Sequence, residues 1–223
     1  MSTAMDHQEL RRRFATLTTA HLADACLRAQ VPVRCAPAAL STVMPGSRLA
    51  GRVAPAQHVG SVDIFLEALQ GAAPGDVLVV DNGGRLDEAC VGDLVALEAQ
   101  AAGLEGLVIW GLHRDTADLR AIGLPVFSLG AIPTGPQRLD VRPHDALASV
   151  TVGEWAVGRE DVVLGDDDGV LLCQPPALWT SSGLRRRSAT PSDAKPNGSG
   201  QASPCAGSCS STATLPSANG RLL

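Results

Sequence analysis

Two short charged motifs, Gly92-Asp93 and Arg114-Asp115, stand out in this sequence because their side chains could act together on one small ligand. An arginine guanidinium matches a carboxylate through two parallel hydrogen bonds. A neighbouring aspartate can anchor a magnesium or manganese ion, which needs few protein carboxylates when substrate oxygens and water complete its shell. The motifs therefore predict a site for a small 2-keto acid whose keto oxygen coordinates the ion.

The chemistry that such a site favours is the breaking of a carbon–carbon bond. A divalent cation would stabilise the enolate that forms when the bond beyond C3 of the keto acid breaks. We expect Arg114 to bind the substrate carboxylate, Asp115 to be the metal ligand, and Asp93 to orient a water that shuttles a proton. A Schiff-base aldolase would instead need a lysine in the folded core, and the one lysine of the chain is Lys195, near the C-terminus.

Simpler structural explanations compete with these roles. Asp115 could cap a helix over residues 116–122 and pair with Arg114. Asp93 could be a helix N-terminal charge, which is favourable beside the free N–H groups of a first turn. The following histidines lack metal-ligand spacing and receive no role: His21, His58, His113 and His144.

The elements that must position the two motifs alternate between strand and helix patterns. The segments with this alternation are residues 77–81, 94–101, 107–110, 116–122 and 126–129. Short links between them are typical of parallel strands joined by right-handed crossovers, with all strand ends at one edge of the sheet. Ligands collect at that edge, where helix N-termini present free N–H groups. Gly92-Asp93 and Arg114-Asp115 should therefore face each other there.

The chain is predicted to have three parts. Residues 1–45 form an N-terminal helical segment, in which residues 6–16 and 19–29 have helical spacing. Residues 46–176 form the catalytic domain, which begins with a strand near residues 46–54. A helix starting after a serine cap at position 61 and running to about residue 70 completes the entry to this domain.

Three consecutive aspartates, residues 166–168, lie between apolar segments at residues 161–164 and 170–173. They resemble a calcium loop, but the twelve-residue spacing and the terminal glutamate of an EF-hand are missing. A turn between two antiparallel strands is the favoured interpretation.

The C-terminal tail, residues 177–223, differs in composition from the rest of the chain. It is basic and rich in Ser, Pro and Gly, so we expect it to be disordered, because it cannot bury enough apolar surface. We hypothesise that the reading frame is shifted after about Pro176. If so, an oligomer contact would be lost and the enzyme would be weakened.

Composition excludes several classes of function. The chain has a net charge of −5, and its acidic core argues against nucleic-acid binding, which needs clustered basic residues. No apolar segment approaches the ~20 residues of a membrane-spanning helix, so we expect no membrane contact and a cytoplasmic protein. Cys26, Cys90 and Cys173 lie among aliphatic neighbours and are predicted to be buried, reduced thiols.

Several stretches taken together resemble the RraA-like family, which includes the 4-hydroxy-4-methyl-2-oxoglutarate aldolases. These stretches are Pro74-Gly75-Asp76-Val77-Leu78-Val79-Val80-Asp81-Asn82-Gly83-Gly84, Gly92-Asp93-Leu94-Val95-Ala96, Gly111-Leu112-His113-Arg114-Asp115-Thr116, Gly123-Leu124-Pro125-Val126-Phe127 and Gly165-Asp166-Asp167-Asp168-Gly169-Val170. The resemblance spans roughly residues 15–175. It implies an α/β fold, specifically a β/β/α swivelling-type domain that assembles as homo-trimers or hexamers with sites near subunit interfaces.

The resemblance also implies site residues and an activity. Gly92, Asp93, Leu94 and Val95 would bind substrate together with Arg114, and Asp115 would bind Mg²⁺ or Mn²⁺. Family members of the aldolase type split 4-hydroxy-4-methyl-2-oxoglutarate into two pyruvates and also decarboxylate oxaloacetate. Both reactions pass through a pyruvate enolate.

This sequence departs from the family pattern in two places. Some aldolases of this type carry a lysine downstream of the Arg-Asp pair, where only Thr134 is polar here. The family normally ends in a long helix that contains glutamate, which the tail does not match. A non-catalytic role as a ribonuclease-binding regulator is the main alternative. Methyl transfer is weaker, because the glycine loop at residues 79–84 is an incomplete nucleotide-binding pattern.

Overall fold

The computed structural model describes residues 6–174, and the predicted tail lies outside these residues. The helices are α1 His7–Phe14, α2 Thr19–Ala29, α3 Asp63–Gln70, α4 Asp93–Ala101 and α5 Thr116–Ile122. The strands are β1 Ser41–Thr42, β2 Leu49–Gln57, β3 Val77–Asp81, β4 Ala89–Val91, β5 Gly106–Trp110, β6 Leu112–His113, β7 Val126–Ser128, β8 Ser149–Val152, β9 Trp155–Gly158, β10 Val162–Asp166 and β11 Gly169–Cys173. The α/β class predicted from the sequence is confirmed.

The main sheet has seven strands in the order β1-β7-β5-β3-β2-β10-β11. Its centre, from β7 to β2, is parallel, and β10 and β11 extend it in antiparallel fashion. The register places Gln57 beside Asp81 and Asp81 beside Trp110. The carboxyl ends of β2, β3 and β5 therefore meet at one edge, as the strand and helix pattern predicted.

The two faces of this sheet are covered by different elements. In β3, Leu78 and Val80 belong to the core under α3, α4 and α5, whereas Val77 and Val79 belong to the core under the β8–β9 hairpin. This alternation is the period of two that a pleated strand imposes. A continuous apolar segment such as residues 77–80 is what a strand buried on both faces requires.

The N-terminal helices pack on the antiparallel end of the sheet. Leu10 and Phe14 of α1 share a core with Leu164 of β10, and Cys26 of α2 lies in the same core. The start of α2 is fixed by Asp166, whose carboxylate accepts hydrogen bonds from the backbone N–H and the hydroxyl of Thr19 at 2.8 and 2.6 Å. Asp166 is thus a structural anchor between α2 and the sheet.

The three aspartates do not form a calcium loop. Asp166 pairs with Gly169 across the β10–β11 hairpin, and Asp167 and Asp168 form its turn. The hairpin prediction is therefore confirmed. Cys26, Cys90 and Cys173 are buried and free, also as predicted.

Three short features were not predicted from the sequence: β1, the β8–β9 hairpin and a separate two-stranded sheet of β4 and β6. The strand expected at residues 46–54 also runs on to Gln57. Strands of two to four residues are too short for a period of two to be recognised. Of the helices within residues 6–174, none is long and apolar enough to cross a membrane.

Candidate active site

The small parallel sheet brings the two charged motifs together. Val91, the last residue of β4, lies opposite His113, the last residue of β6. The residues that follow them, Gly92 and Arg114, are the first residues of the two motifs. The backbone N–H of Arg114 donates to the carbonyl of Val91 at 3.0 Å, which places Arg114 beside Gly92. The facing arrangement expected at the strand ends is therefore what the structure shows.

Asp115 has a left-handed backbone conformation, with φ 58° and ψ 40°. Its carboxylate lies 3.2 Å from Nε of Arg114, and its Oδ2 accepts a long hydrogen bond of 3.5 Å from the backbone N–H of Asp93. It makes no capping hydrogen bond to α5, a helix that lies wholly in the described part of the chain. Asp115 therefore occupies the N-cap position of α5 and pairs with Arg114, as the structural explanation expected, but its carboxylate faces the start of α4 and does not cap α5.

Gly92 leaves the space that this carboxylate occupies. A Cβ atom at position 92 would clash with Oδ2 of Asp115 and would lie 3.2 Å from Cγ of Arg114. The φ of Gly92 is −138°, a value open to any residue, so the glycine is required by close approach and not by backbone conformation.

Asp115 offers one carboxylate at this position as a possible metal ligand. The Asp115 side chain is about one-third exposed and offers a hard carboxylate oxygen at a helix start. Within the described residues, no group of three or more His, Cys, Asp or Glu side chains could hold a metal. One carboxylate oxygen could serve as a ligand of magnesium or manganese, whose shells are completed by water or substrate oxygens, but it does not suit an ion that requires a full protein shell.

The first turn of α4 forms the second wall of the site. Asp93 is the first residue of this helix, and its Oδ1 accepts a hydrogen bond of 2.8 Å from the N–H of Leu94. Asp93 thus sits as a helix-start charge, the alternative raised from the sequence, while lying beside Asp115. Leu94 is exposed and the side chain of Val95 is buried, so Val95 can face the site only through its backbone.

His113 supports the motif from behind, a role that sequence reasoning missed. Its Nδ1 lies 2.7 Å from the hydroxyl of Ser128 in β7, and its Nε2 lies 3.0 Å from the hydroxyl of Thr116 in α5. Burial lowers the pKa of His113, which favours the neutral ring between two hydroxyls. The residue before Arg114 is therefore fixed to two elements at once.

A second polar cluster lies at the ends of β2 and β3. Nη2 of Arg138 donates to Oδ1 of Asn82 at 2.7 Å, so Nδ1 of His58, 2.9 Å from the same oxygen, must also be a donor. Arg138 pairs with buried Glu88 at 3.0 Å. The adjoining cavity of about 390 Å³ is lined by neither Arg114 nor Asp115. These residues are far apart in sequence, and no spacing could have linked them.

The charges around that cavity do not favour an anionic substrate. Both arginines of its lining are already paired, Arg138 with Glu88 and Asp140 and Arg85 with Asp87, and Asp81 also lines the cavity. The guanidinium of Arg114 is about half exposed, and within residues 6–174 its ion pair is with Asp115 alone, so it is the better ligand for a free carboxylate.

Comparison with known proteins places this arrangement in a family. A family model described as RraA-like, Aldolase/RraA, matches residues 19–172, well over half of the chain. A protein of Dechloromonas aromatica (strain RCB) named "Putative 4-hydroxy-4-methyl-2-oxoglutarate aldolase" is 37% identical over 98 residues. The matched part covers 44% of this chain and 59% of that relative, so the chain spans about three-fifths of the relative's length.

Solved structures share the fold. The RNA-processing inhibitor RraA from Thermus thermophilis is 25% identical with a TM-score of 0.57, and the match covers 77% of this chain and 94% of that one. A structure from Geobacillus kaustophilus HTA426, named S-adenosylmethionine: 2-dimethylmenaquinone methyltransferase, is 27% identical with a TM-score of 0.61 and covers 71% and 95%. The fold expected from the motifs is therefore confirmed.

Proposed function

We propose, from the premise that this chain belongs to the RraA-like family, that it is a metal-dependent carbon–carbon lyase of the class II aldolase type. Its proposed substrate is 4-hydroxy-4-methyl-2-oxoglutarate, cleaved to two molecules of pyruvate, with oxaloacetate decarboxylation as a side activity. The observation that carries the proposal is the convergence of Arg114, Asp115 and the start of α4 on one exposed position. The name of the Dechloromonas relative supports the choice of substrate.

Each residue has a distinct part in the proposed reaction. The guanidinium of Arg114 binds the carboxylate of the 2-keto acid, with geometry suited to two parallel hydrogen bonds. Asp115 holds the divalent cation, and Asp93, beside it, orients a water that passes a proton to or from the substrate. A magnesium or manganese ion held by Asp115 would supply positive charge for the negative charge that develops on the substrate. The same carboxylate and keto group occur in oxaloacetate, which explains the proposed side activity.

The test is a coupled assay of pyruvate release from 4-hydroxy-4-methyl-2-oxoglutarate and from oxaloacetate. EDTA is expected to abolish release, and added Mg²⁺ or Mn²⁺ to restore it. The Asp115→Ala variant is expected to lose at least ~10²-fold in kcat/KM and to bind Mn²⁺ more weakly in a titration followed by electron paramagnetic resonance. Pyruvate release that is unchanged by EDTA, or that the Asp115→Ala variant retains, would refute the mechanism.

The second candidate is a ribonuclease-binding regulator, which is favoured by the likeness to the Thermus protein. Binding to a protein partner would not depend on the carboxylate of Asp115. Inhibition of an RNA-processing ribonuclease is therefore measured with the wild type and with Asp115→Ala. Equal inhibition by both proteins, together with no pyruvate release, would favour this candidate over the lyase.

A further inference from the structure

The segment between β7 and β8 forms a third side of the candidate site. Residues 129–148 contain no helix or strand beyond an isolated bridge at Ala131, and they form the longest link between elements in residues 6–174. Links of this length in a compact domain usually have a function of their own. This one passes directly over the guanidinium of Arg114.

The point of contact is Gly135. A Cβ atom built at this position would lie 3.2 Å from Nη1 of Arg114. Gly135 is not among the described residues with positive φ, so its backbone conformation does not require glycine. The missing side chain leaves space for the guanidinium. A Cβ atom built at Gly92 would lie 3.3 Å from Nε of the same side chain, so two glycines border the arginine of the site.

The segment is held on both sides of Gly135 and cannot easily move away. On one side, the N–H of Ile132 donates to the carbonyl of His113 at 3.0 Å, and the carbonyl of Thr134 accepts from Ala89 at 2.8 Å. On the other side, Arg138 pairs with Glu88 at 3.0 Å. Prolines at positions 133 and 136 stiffen the backbone further.

We infer that Gly135 is a positioning residue, which sets where the Arg114 guanidinium can meet the carboxylate of a 2-keto acid. A methyl group at position 135 meets the far end of a flexible side chain, so the protein can accept it without loss of stability. The guanidinium must shift by a few tenths of an ångström, because the segment is anchored. The inference deepens the proposed function and rests on it, since Arg114 acts there as the carboxylate ligand.

The test is the Gly135→Ala variant, measured for kinetics, pyruvate binding and thermal unfolding. KM is expected to rise by about 5- to 20-fold for both oxaloacetate and 4-hydroxy-4-methyl-2-oxoglutarate, with kcat within about twofold. The rise is the same for both substrates, because they share the carboxylate and keto group that Arg114 binds. The Kd of pyruvate, measured by calorimetry with Mg²⁺ present, rises by the same factor.

The matched control is Gly71→Ala. Gly71 lies in the link between α3 and β3 and also lacks a positive φ. A Cβ atom built there would lie 3.4 Å from Nη2 of Arg159. This variant places a methyl group against a guanidinium away from the site, and its KM and pyruvate Kd are expected to equal those of the wild type. A double variant with Arg114→Ala completes the design, because Gly135→Ala should change pyruvate Kd by less than about twofold when Arg114 is absent.

The possible failures are distinguishable. An active wild type with an unchanged KM and pyruvate Kd in Gly135→Ala overturns the inference alone. A Gly135→Ala variant whose Tm falls by more than about 5 °C also overturns it, because the methyl group would then meet something other than Arg114. A wild type that binds pyruvate but releases none from either substrate overturns the proposed function, and a Kd shift in Gly135→Ala would still support the positioning of Arg114.

Discussion

Asp115 adopts a backbone conformation that L-residues other than Asn and Asp rarely take, and this conformation costs about 1 kcal/mol or more relative to glycine. The carboxylate gains little for that cost, since it makes a partly exposed ion pair and one long hydrogen bond. Residues held in sparsely populated backbone conformations cluster at functional sites. Replacing Asp115 should therefore change both the free energy of unfolding and the proposed lyase activity.

We predict that glycine at position 115 stabilises the fold relative to alanine. Asp115→Gly relieves the left-handed strain, whereas Asp115→Ala keeps the β-carbon, so the free energy of unfolding should be higher in the glycine variant by about 1 kcal/mol. Both variants should lack lyase activity. Urea denaturation of the two proteins measures the difference.

Gln30 provides the control for this prediction, because it has φ 56° at the end of α2 and lies outside the candidate site. Gln30→Gly and Gln30→Ala should differ in stability by a similar amount, with activity retained in both. Equal free energies of unfolding for Asp115→Gly and Asp115→Ala would contradict the claim that the backbone at position 115 is strained.

The residue types of the site could be predicted from the sequence, but only part of its geometry. Arg114 and Asp115 are adjacent in the chain, and the alternation of strands and helices was enough to place Gly92 opposite them. The contact of Gly135 with Arg114 depends on the path of a long link without periodicity. His58 contacts Asn82 because the ends of β2 and β3 lie side by side. An isolated histidine in the sequence does not indicate such a contact.

Among the elements, the helices and central strands were predicted to within a few residues because each has enough residues to show its period. Residues 19–29, 77–81 and 116–122 are reproduced at both ends. The short strands β4 and β6 were not predicted, although they bring Gly92 and Arg114 together. Their pairing follows from the tertiary approach of two loops and has no local signal.

The link from β7 to β8 is held to the loop between β3 and β4 by an ion pair of buried Glu88 and partly buried Arg138. We predict that Arg138→Met lowers the free energy of unfolding by about 2 kcal/mol, because it leaves the buried carboxylate of Glu88 with only Arg85, at 3.5 Å, as a partner. The double variant Glu88→Gln/Arg138→Met should recover a large part of this loss. Chemical denaturation of the wild type, both single variants and the double variant gives the coupling energy.

The exposed pair of Glu67 and Arg142 is the matched control, since it also attaches the same link to the body of the domain. Its coupling energy should be below about 1 kcal/mol, because solvent screens both charges. Similar coupling energies for the two pairs would show that the burial of Glu88 does not strengthen its ion pair with Arg138.

The end of β2 carries a pH-dependent contribution to stability. Burial lowers the pKa of His58 from its ordinary value of 6.5, so the folded chain keeps the ring neutral where the unfolded chain takes up a proton. His58 therefore costs no stability at high pH and destabilises the fold as the pH falls below about 6.5. The loss grows until the pH reaches the lowered folded pKa.

We predict that His58→Gln reduces the dependence of stability on pH between 5 and 7. The amide of glutamine can still donate to Asn82 but does not titrate, so the variant should lose less unfolding free energy than the wild type as the pH drops. The maximum difference in slope is about 1.4 kcal/mol per pH unit for one proton. Parallel curves for the two proteins, measured by urea denaturation, would count against a buried neutral His58.

The side of the domain formed by α3 and α4 exposes several large apolar side chains. Leu94 and Leu97 lie three residues apart on α4 and are 69% and 46% exposed. Val62, which caps α3, and Leu66 within it are exposed as well, and the two helices are in contact. Neighbouring exposed apolar side chains indicate a surface for another protein. Because the patch begins at the proposed site, we propose that a second copy of the chain covers it in a homo-trimer or hexamer.

We predict that Leu97→Glu converts this oligomer to a monomer, because it places a charge in an apolar contact without a partner. Size-exclusion chromatography with light scattering should give a trimer or hexamer for the wild type and a monomer for the variant. Leu27→Glu is the control, since Leu27 is 66% exposed on α2, away from this patch, and its replacement should leave the oligomer intact. A wild type that is already monomeric, or an unchanged mass in Leu97→Glu, would show that copies of the chain do not assemble through α3 and α4.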